Sequence, residues 1–333
     1  MRPKRWRLIR TKGEATGASM LLLAVTVIVA GACSPKRPPI RTTLTPVVAT
    51  VAYGELAPEM APFEQAIASS KLGYIGIIAD KHSEVTPWSS KLGGSAYFLK
   101  GQAYPTGPDG VPLVLLAQLN FSEIPRLEGY PSQGILQFFI AGGESGAHVY
   151  GMSQEDAKPY SAHDFFASLS KQTWFRVVYH PQILRERDKL QSPQVPPRAM
   201  MLPHTGSTGL RFQSGVEPVS VWDYRFPRIF GKPSEKFFQQ FGAKEEIAAI
   251  NYIAFSNKVH LAKVGGYSSP VQEDPRMIHP AEDWVVLLEL HNGSEEGGFN
   301  MLWGDGGMAA FYIRPDDLKR LDFSKVVYYW DNH

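Results

Sequence analysis

The sequence predicts an α+β fold: a β-rich single domain with an internal duplication, preceded by a removable leader and a flexible tether. Three observations predict it. One pattern occurs twice. Lys91-Leu92-Gly93-Gly94 recurs as Lys263-Val264-Gly265-Gly266, and each is followed 23 or 22 residues on by a branched apolar run, residues 114–119 and 285–290. Phe138-Phe139-Ile140 and Phe311-Tyr312-Ile313 then close 49 and 50 residues after their respective lysines. Second, apolar runs of strand length outnumber helical patterns. Third, the chain begins with a basic and then apolar segment that ends on its one cysteine, Cys33.

In chain order, residues 59–71 place Met60, Phe63, Ile67 and Ala68 at helical spacing, and Gly73 then leads into a strand at 74–78. Strands are expected at 111–119, 134–140 and 173–179, rich in branched and aromatic residues. Ser161-Ala162-His163-Asp164 has the form of a capping box opening a short helix through Leu169. Residues 185–204, with Pro193, Pro196, Pro197 and Pro203, read as an irregular crossing. Helices follow at 234–241 and 245–255, the second with Ile247, Ala248 and Tyr252 on one side. Strands at 285–290, 301–313 and 326–330 and a short helix at 315–321 complete the pattern. Trp88, Trp174, Trp222, Trp284, Trp303 and Trp330 all fall within residues 59–333, a length sufficient for one large core or two small ones.

Residues 20–32 carry no charge and follow Arg2, Lys4, Arg5, Arg7, Arg10 and Lys12. The run is shorter than the roughly 20 residues a spanning helix needs and suits a signal peptide, whose core is about 7–15 residues. Ala30-Gly31-Ala32-Cys33 resembles a bacterial lipobox, with Ala30 where leucine is favoured. The resemblance implies cleavage after residue 32 and a diacylglycerol thioether on Cys33; a plain secretion signal and an uncleaved anchor are the alternatives. Two or more acyl chains anchor firmly, at about 0.8 kcal/mol per buried CH2. Ser34 stands where aspartate would retain the protein at an inner membrane, so the periplasmic face of an outer membrane is expected if the cell has one. Residues 33–58 are rich in proline and threonine and read as a tether of at most about 80 Å. Lys36, Arg37 and Arg41 either face anionic lipid or are merely solvated.

The formal charge of +2 belongs to the leader, which holds six of the 34 basic and one of the 32 acidic residues; the remainder is near −3. Without a concentrated basic face, a nucleic-acid partner is not expected.

Residues 90–125 (SKLGGSAYFLKGQAYPTGPDGVPLVLLAQLNFSEIP) with GILQFFI at 134–140, and in the second half 260–276, 302–307 and 311–331, resemble the bacterial YwqG-like family, a domain of unknown function. The resemblance spans residues 88–331 and implies a duplicated α+β fold, not an activity. The chain departs from the family pattern at Tyr104 (usually Trp), Ser268 (Pro), Glu289 (Gln) and His291 (an acidic residue).

The candidate ligand pocket is drawn from Trp303, Asp305, Asp274, Arg276 and Glu289. Trp303-Gly304-Asp305-Gly306-Gly307 is either a hairpin turn or a glycine-lined ledge beside an indole. Asp274-Pro275-Arg276 offers an internal salt bridge or a bidentate ligand grip. Gly143-Glu144-Ser145-Gly146-Ala147 has alanine where a nucleophile elbow needs glycine. The histidines lack metal-ligand spacing, although His260, His279 and His291 share one half, and there is no phosphate loop or dinucleotide fingerprint. No metal or cofactor is expected, and no catalytic residue is assigned. The expected role is a lipid-anchored, exported cell-envelope protein acting as a non-enzymatic binding module for a protein or envelope ligand. The alternative is a hydrolase or small-molecule enzyme with its cleft between the two halves.

Overall fold

The computed structural model describes residues 56–142, 148–153, 163–191, 202–257, 260–294 and 299–333, together with a two-residue strand pair, Ile9–Arg10 with Leu23–Ala24. Cys33, nearly all of the expected tether and the Gly143 to Ala147 motif lie outside the described residues. Among the described residues, no helix is long and apolar enough to cross a membrane.

Ten strands form one antiparallel sheet: β1 (Leu72–Asp80), β2 (Lys91–Gly93), β3 (Val114–Asn120), β4 (Ile135–Ile140), β5 (Phe175–His180), β6 (Ser207–Glu217), β7 (Ala262–Gly265), β8 (Val285–His291), β9 (Met308–Ile313) and β10 (Val327–Asp331). Their order is β10-β9-β8-β7-β1-β6-β2-β3-β4-β5. From the central β1–β6 pair outward, each side therefore carries a Lys-x-Gly strand, a branched apolar strand, an aromatic strand and an edge strand. The β3–β4 register slips between Leu115 and Ala117, and the β8–β9 register between Val286 and Leu288.

The sheet curls until it is nearly closed. Phe175 on edge strand β5 lies 5.0 Å from Tyr328 on edge strand β10, and Phe138 on β4 lies 4.7 Å from Phe311 on β9. The largest apolar cluster fills this curl with side chains from both sides, including Leu116, Phe138, Leu288, Phe311 and Tyr328. Burial of such side chains stabilises by about 1.5–3 kcal/mol each before entropy is counted. Curling brings the two edges together, which limits the unpaired backbone they offer to other chains.

Among the described residues, six short helices flank the sheet. A 3-10 turn (Pro58–Phe63) runs into α1 (Glu64–Ser69) because Pro62 lacks the N–H that an α-helical start would use. That unit packs with α3 (Phe226–Phe230), α4 (Ser234–Phe238) and α5 (Glu245–Ser256) around Phe226, Phe237, Phe238 and Tyr252. Helix α2 (His163–Ser168) covers the outer face of β8–β10 with Phe165 and Phe166, and α6 (Pro315–Lys319) links β9 towards β10. Ser161 of the expected capping box lies outside the described residues.

The structure differs from the sequence reading at two long stretches, and helix α3 and the short strands β2 and β7 were not expected either. The strand expected at 301–313 is two strands, Asn300–Met301 and β9, separated by a turn at Gly304 and Gly306, where φ is +55° and +76°. Its flanks belong to different sheets, since Asn300–Met301 pairs with His204–Thr205 and Gly293–Ser294. The eleven-residue β6, at the centre of the main sheet, was not expected from the sequence.

Candidate functional site

The repeated Lys-x-Gly-Gly motif builds a buried cage. Gly265 and Gly266 adopt φ of +78° and +70°, and a Cβ on Gly266 would collide with the Glu217 carboxylate. The turn returns the Tyr267 carbonyl to Lys263, whose Nζ donates to it at 2.5 Å and to Glu217 Oε1 at 2.8 Å. Glu289, paired with Lys263 across the β7–β8 register, brings its Oε1 to 3.8 Å from the same ammonium. Glu289 also contacts His291 Nε2 at 2.8 Å and accepts from Ser268 Oγ at 2.5 Å. Ser268 and His291 thus both bond to Glu289.

The network continues through Tyr312, whose hydroxyl lies 2.7 Å from Ser268 Oγ. The Arg276 guanidinium is sandwiched between the rings of Tyr312 and Tyr224, 4.3 and 4.5 Å from their centroids. It donates from Nε to Asp274 Oδ1 at 2.8 Å and from Nη2 to Asp274 Oδ2 at 2.6 Å and Asp223 Oδ2 at 2.9 Å. Arg225 Nε donates to the other Asp223 oxygen at 2.8 Å, and its guanidinium covers Tyr267 at 4.4 Å. Arg276, Asp223 and Glu289 side chains have no solvent exposure.

Charges this deep persist only because they are paired. Burial opposes ionisation of Glu289, but Lys263 and the bond from His291 outweigh it and hold the carboxyl at about 2. Burial also opposes the Lys263 ammonium, and Glu217 and Glu289 outweigh it in turn, raising that pKa. Glu217 is pushed up, by burial first, with the nearby Glu289 charge adding to it. Against burial, Asp223 is held low by two arginines. Asp274 shares only Arg276, and burial pushes it up.

Of the five predicted pocket residues, the structure brings Asp274, Arg276 and Glu289 into this one network. The internal salt bridge expected at Asp274-Pro275-Arg276 is present. Trp303 is instead buried in the main core, its ring 5.4 Å from Tyr150, and Asp305 stands exposed on the turn. The three histidines do not converge: His260 meets Tyr74 and His279 meets Phe166, while His291 meets Glu289. Among the described residues, no group of three or more His, Cys, Asp or Glu side chains could hold a metal.

Sequence reasoning missed Glu217, Asp223 and Arg225. One signal was there: Asp223-Tyr224-Arg225 repeats the Asp-x-Arg spacing of residues 274–276, and in both the arginine folds back on its aspartate.

A β-rich domain whose curled sheet is clasped by a buried ionic knot is the class that fold and site define. The chain belongs to the family described as Domain of unknown function (DUF1963), whose pattern covers residues 90–332. No curated protein matches it.

Proposed function

We propose that the chain is an exported, lipid-anchored cell-envelope protein of YwqG-like type, whose duplicated domain is a non-enzymatic binding module for a protein or envelope ligand. The observation that carries the location is the uncharged run 20–32 between a basic segment and the lone Cys33. Duplication is supported by the sheet order, which reads the same outward from β1 and β6, and by the two matching register slips. It is further supported by one shared bond. The residue six positions after each motif lysine donates its backbone N–H to the side chain opposite that lysine, Tyr97 to Gln118 at 2.9 Å and Ser269 to Glu289 at 3.3 Å.

A binding role fits the disposition of the charges. Asp274 and Arg276 are buried and paired with each other, and Glu289 is buried against Lys263, His291 and Ser268, whereas a hydrolytic site needs groups that reach a substrate. The anchor is tested by mass spectrometry of native protein together with fractionation of a Cys33→Ser variant. The expected results are a diacylglycerol thioether on Cys33 and release of the variant from the membrane fraction; a free thiol or an intact leader refutes the anchor. Binding is tested by cross-linking in intact envelopes. A partner recovered with wild type and lost with Cys33→Ser supports it, and recovery of none above that control refutes it.

A further inference from the structure

An open cavity of about 480 Å³ lies between α2, the segment 279–284 and the connection from β9 to β10. That volume is within the roughly 300–1,000 Å³ typical of small-ligand sites. Its apolar wall is formed by Phe166, Val327 and Trp284, and the Phe166 and Trp284 rings meet edge to face at 5.1 Å. Most of its polar capacity is already used. Arg314 Nη2 donates to Glu282 Oε2 at 2.6 Å, and Arg320 pairs with Asp317.

Three lining groups remain uncommitted. Asp316 and Lys325 enter no close ion pair or side-chain hydrogen bond among the described residues, the Lys325 charge being drawn only at longer range to Asp322. The Trp284 indole N–H is buried without an acceptor, in a residue only 4% exposed. An unmet buried donor costs about 1–3 kcal/mol, and a ligand acceptor would recover it. The cavity thus offers one spare cation, one spare anion, one spare donor and an apolar surface.

We propose that this cavity binds a zwitterion of the amino-acid type with an apolar side chain. Its carboxylate meets Lys325 and the Trp284 N–H, its ammonium meets Asp316, and its side chain lies against Phe166 and Val327. The two arginine pairs form a neutral rim that leaves both charges of the ligand to Lys325 and Asp316. This assignment deepens the binding-module reading and rests on it.

The test uses the full chain in mild detergent, titrated with leucine and phenylalanine and with their N-acetyl and methyl-ester derivatives. Calorimetry gives affinities, and the indole N–H resonance assigned by Trp284→Phe reports the site. The expected result is saturable binding with a shift of that resonance and about tenfold weaker binding of each single-charge derivative, the order of one charge-assisted hydrogen bond. Lys325→Gln should weaken the free amino acids about tenfold while leaving the methyl esters unchanged, and Asp316→Asn should weaken the free amino acids to the same extent while leaving the N-acetyl acids unchanged. A folding defect would weaken all ligands alike and so could not imitate this pattern. Absence of binding up to about 10 mM overturns the proposal, as do derivatives that bind as well as the parent. If envelope cross-linking still returns a partner, the binding-module reading stands and only the zwitterion site falls.

Discussion

Lys91 and Lys263 open the same four-residue motif and are both buried, 2% and 4% exposed, yet they are satisfied by opposite chemistry. Lys91 lies opposite Gln118 in the β2–β3 register and, among the described residues, donates to the carbonyls of Thr86 and Pro87, each at 3.1 Å. Burial pulls its pKa down to about 8, and Glu123 only partly opposes this. Lys263 lies opposite Glu289 and has Glu217 as well, and its pKa is raised. One side of the sheet thus holds its lysine in a neutral cage of amides, the other in an ionic knot that reaches Arg276. The lesson is that the facing residue decides what burial does to a charge. Glutamine leaves the charge marginal, and glutamate fixes it.

The largest expected effect lies in the knot. Arg276→Met would leave Asp223 with Arg225 but strand Asp274 without a cation, and a broken buried pair costs about 3–5 kcal/mol. Urea unfolding of variant and wild type measures it. A cost below about 1 kcal/mol would mean that the knot does not hold this side together.

The two lysines then test the comparison directly. Lys263→Met strands Glu217 and Glu289 and should cost about 3–5 kcal/mol, whereas Lys91→Met loses two carbonyl bonds and strands no carboxylate, costing about 1–2 kcal/mol. Equal midpoints for the two variants would break the comparison.

A pH series sharpens it. Lys91 titrates near 8 when folded and near 10.5 when unfolded, so between those values the unfolded chain binds more protons, and this lysine makes stability rise with pH. The rise should vanish in Lys91→Met. Lys263 contributes no rise there, because its folded pKa is shifted upward. Unfolding free energies at pH 7.5 and 9.5 read the difference.

How much of this was legible follows from where each signal resides. The runs that became β3, β4, β8 and β10 announce themselves because they are buried on both faces and so read as continuous branched or aromatic residues. Strand β6 does not, since Gly209, Gln213, Ser214 and Gly215 interrupt its pattern; Gly215 is required because the Tyr74 ring of β1 lies against it. The Asp274–Arg276 bridge was readable because it is local. Its joining to Asp223 spans about fifty residues and depends on how loops meet in space, as does the cavity beside Trp284. Trp303 and Asp305, two residues apart in sequence, face core and solvent because positive-φ glycines reverse the chain between β-segments.

The smallest expected effect concerns a carboxylate held by two backbone donors and the Tyr329 side chain. Asp331, at the end of β10, accepts from Val271 N at 3.2 Å and Gln272 N at 2.7 Å, but burial outweighs those bonds and raises it from 3.8 to about 6. Between those values the folded chain binds more protons, so the group makes stability fall as pH rises through that window. Glu289 has the opposite sign: its contribution is complete above 4.5 and is lost as pH falls through about 2. The windows overlap only between 3.8 and 4.5, so above 4.5 the slope belongs to Asp331 and below 3.8 to Glu289. Asp331→Asn should flatten the profile between pH 4 and 6 while changing stability at pH 7 by no more than about 1 kcal/mol, since the amide keeps one acceptor. A variant that loses the same stability at pH 4.5 and pH 7.5 would assign that slope to another group and leave the ionic knot as the dominant source of acid sensitivity.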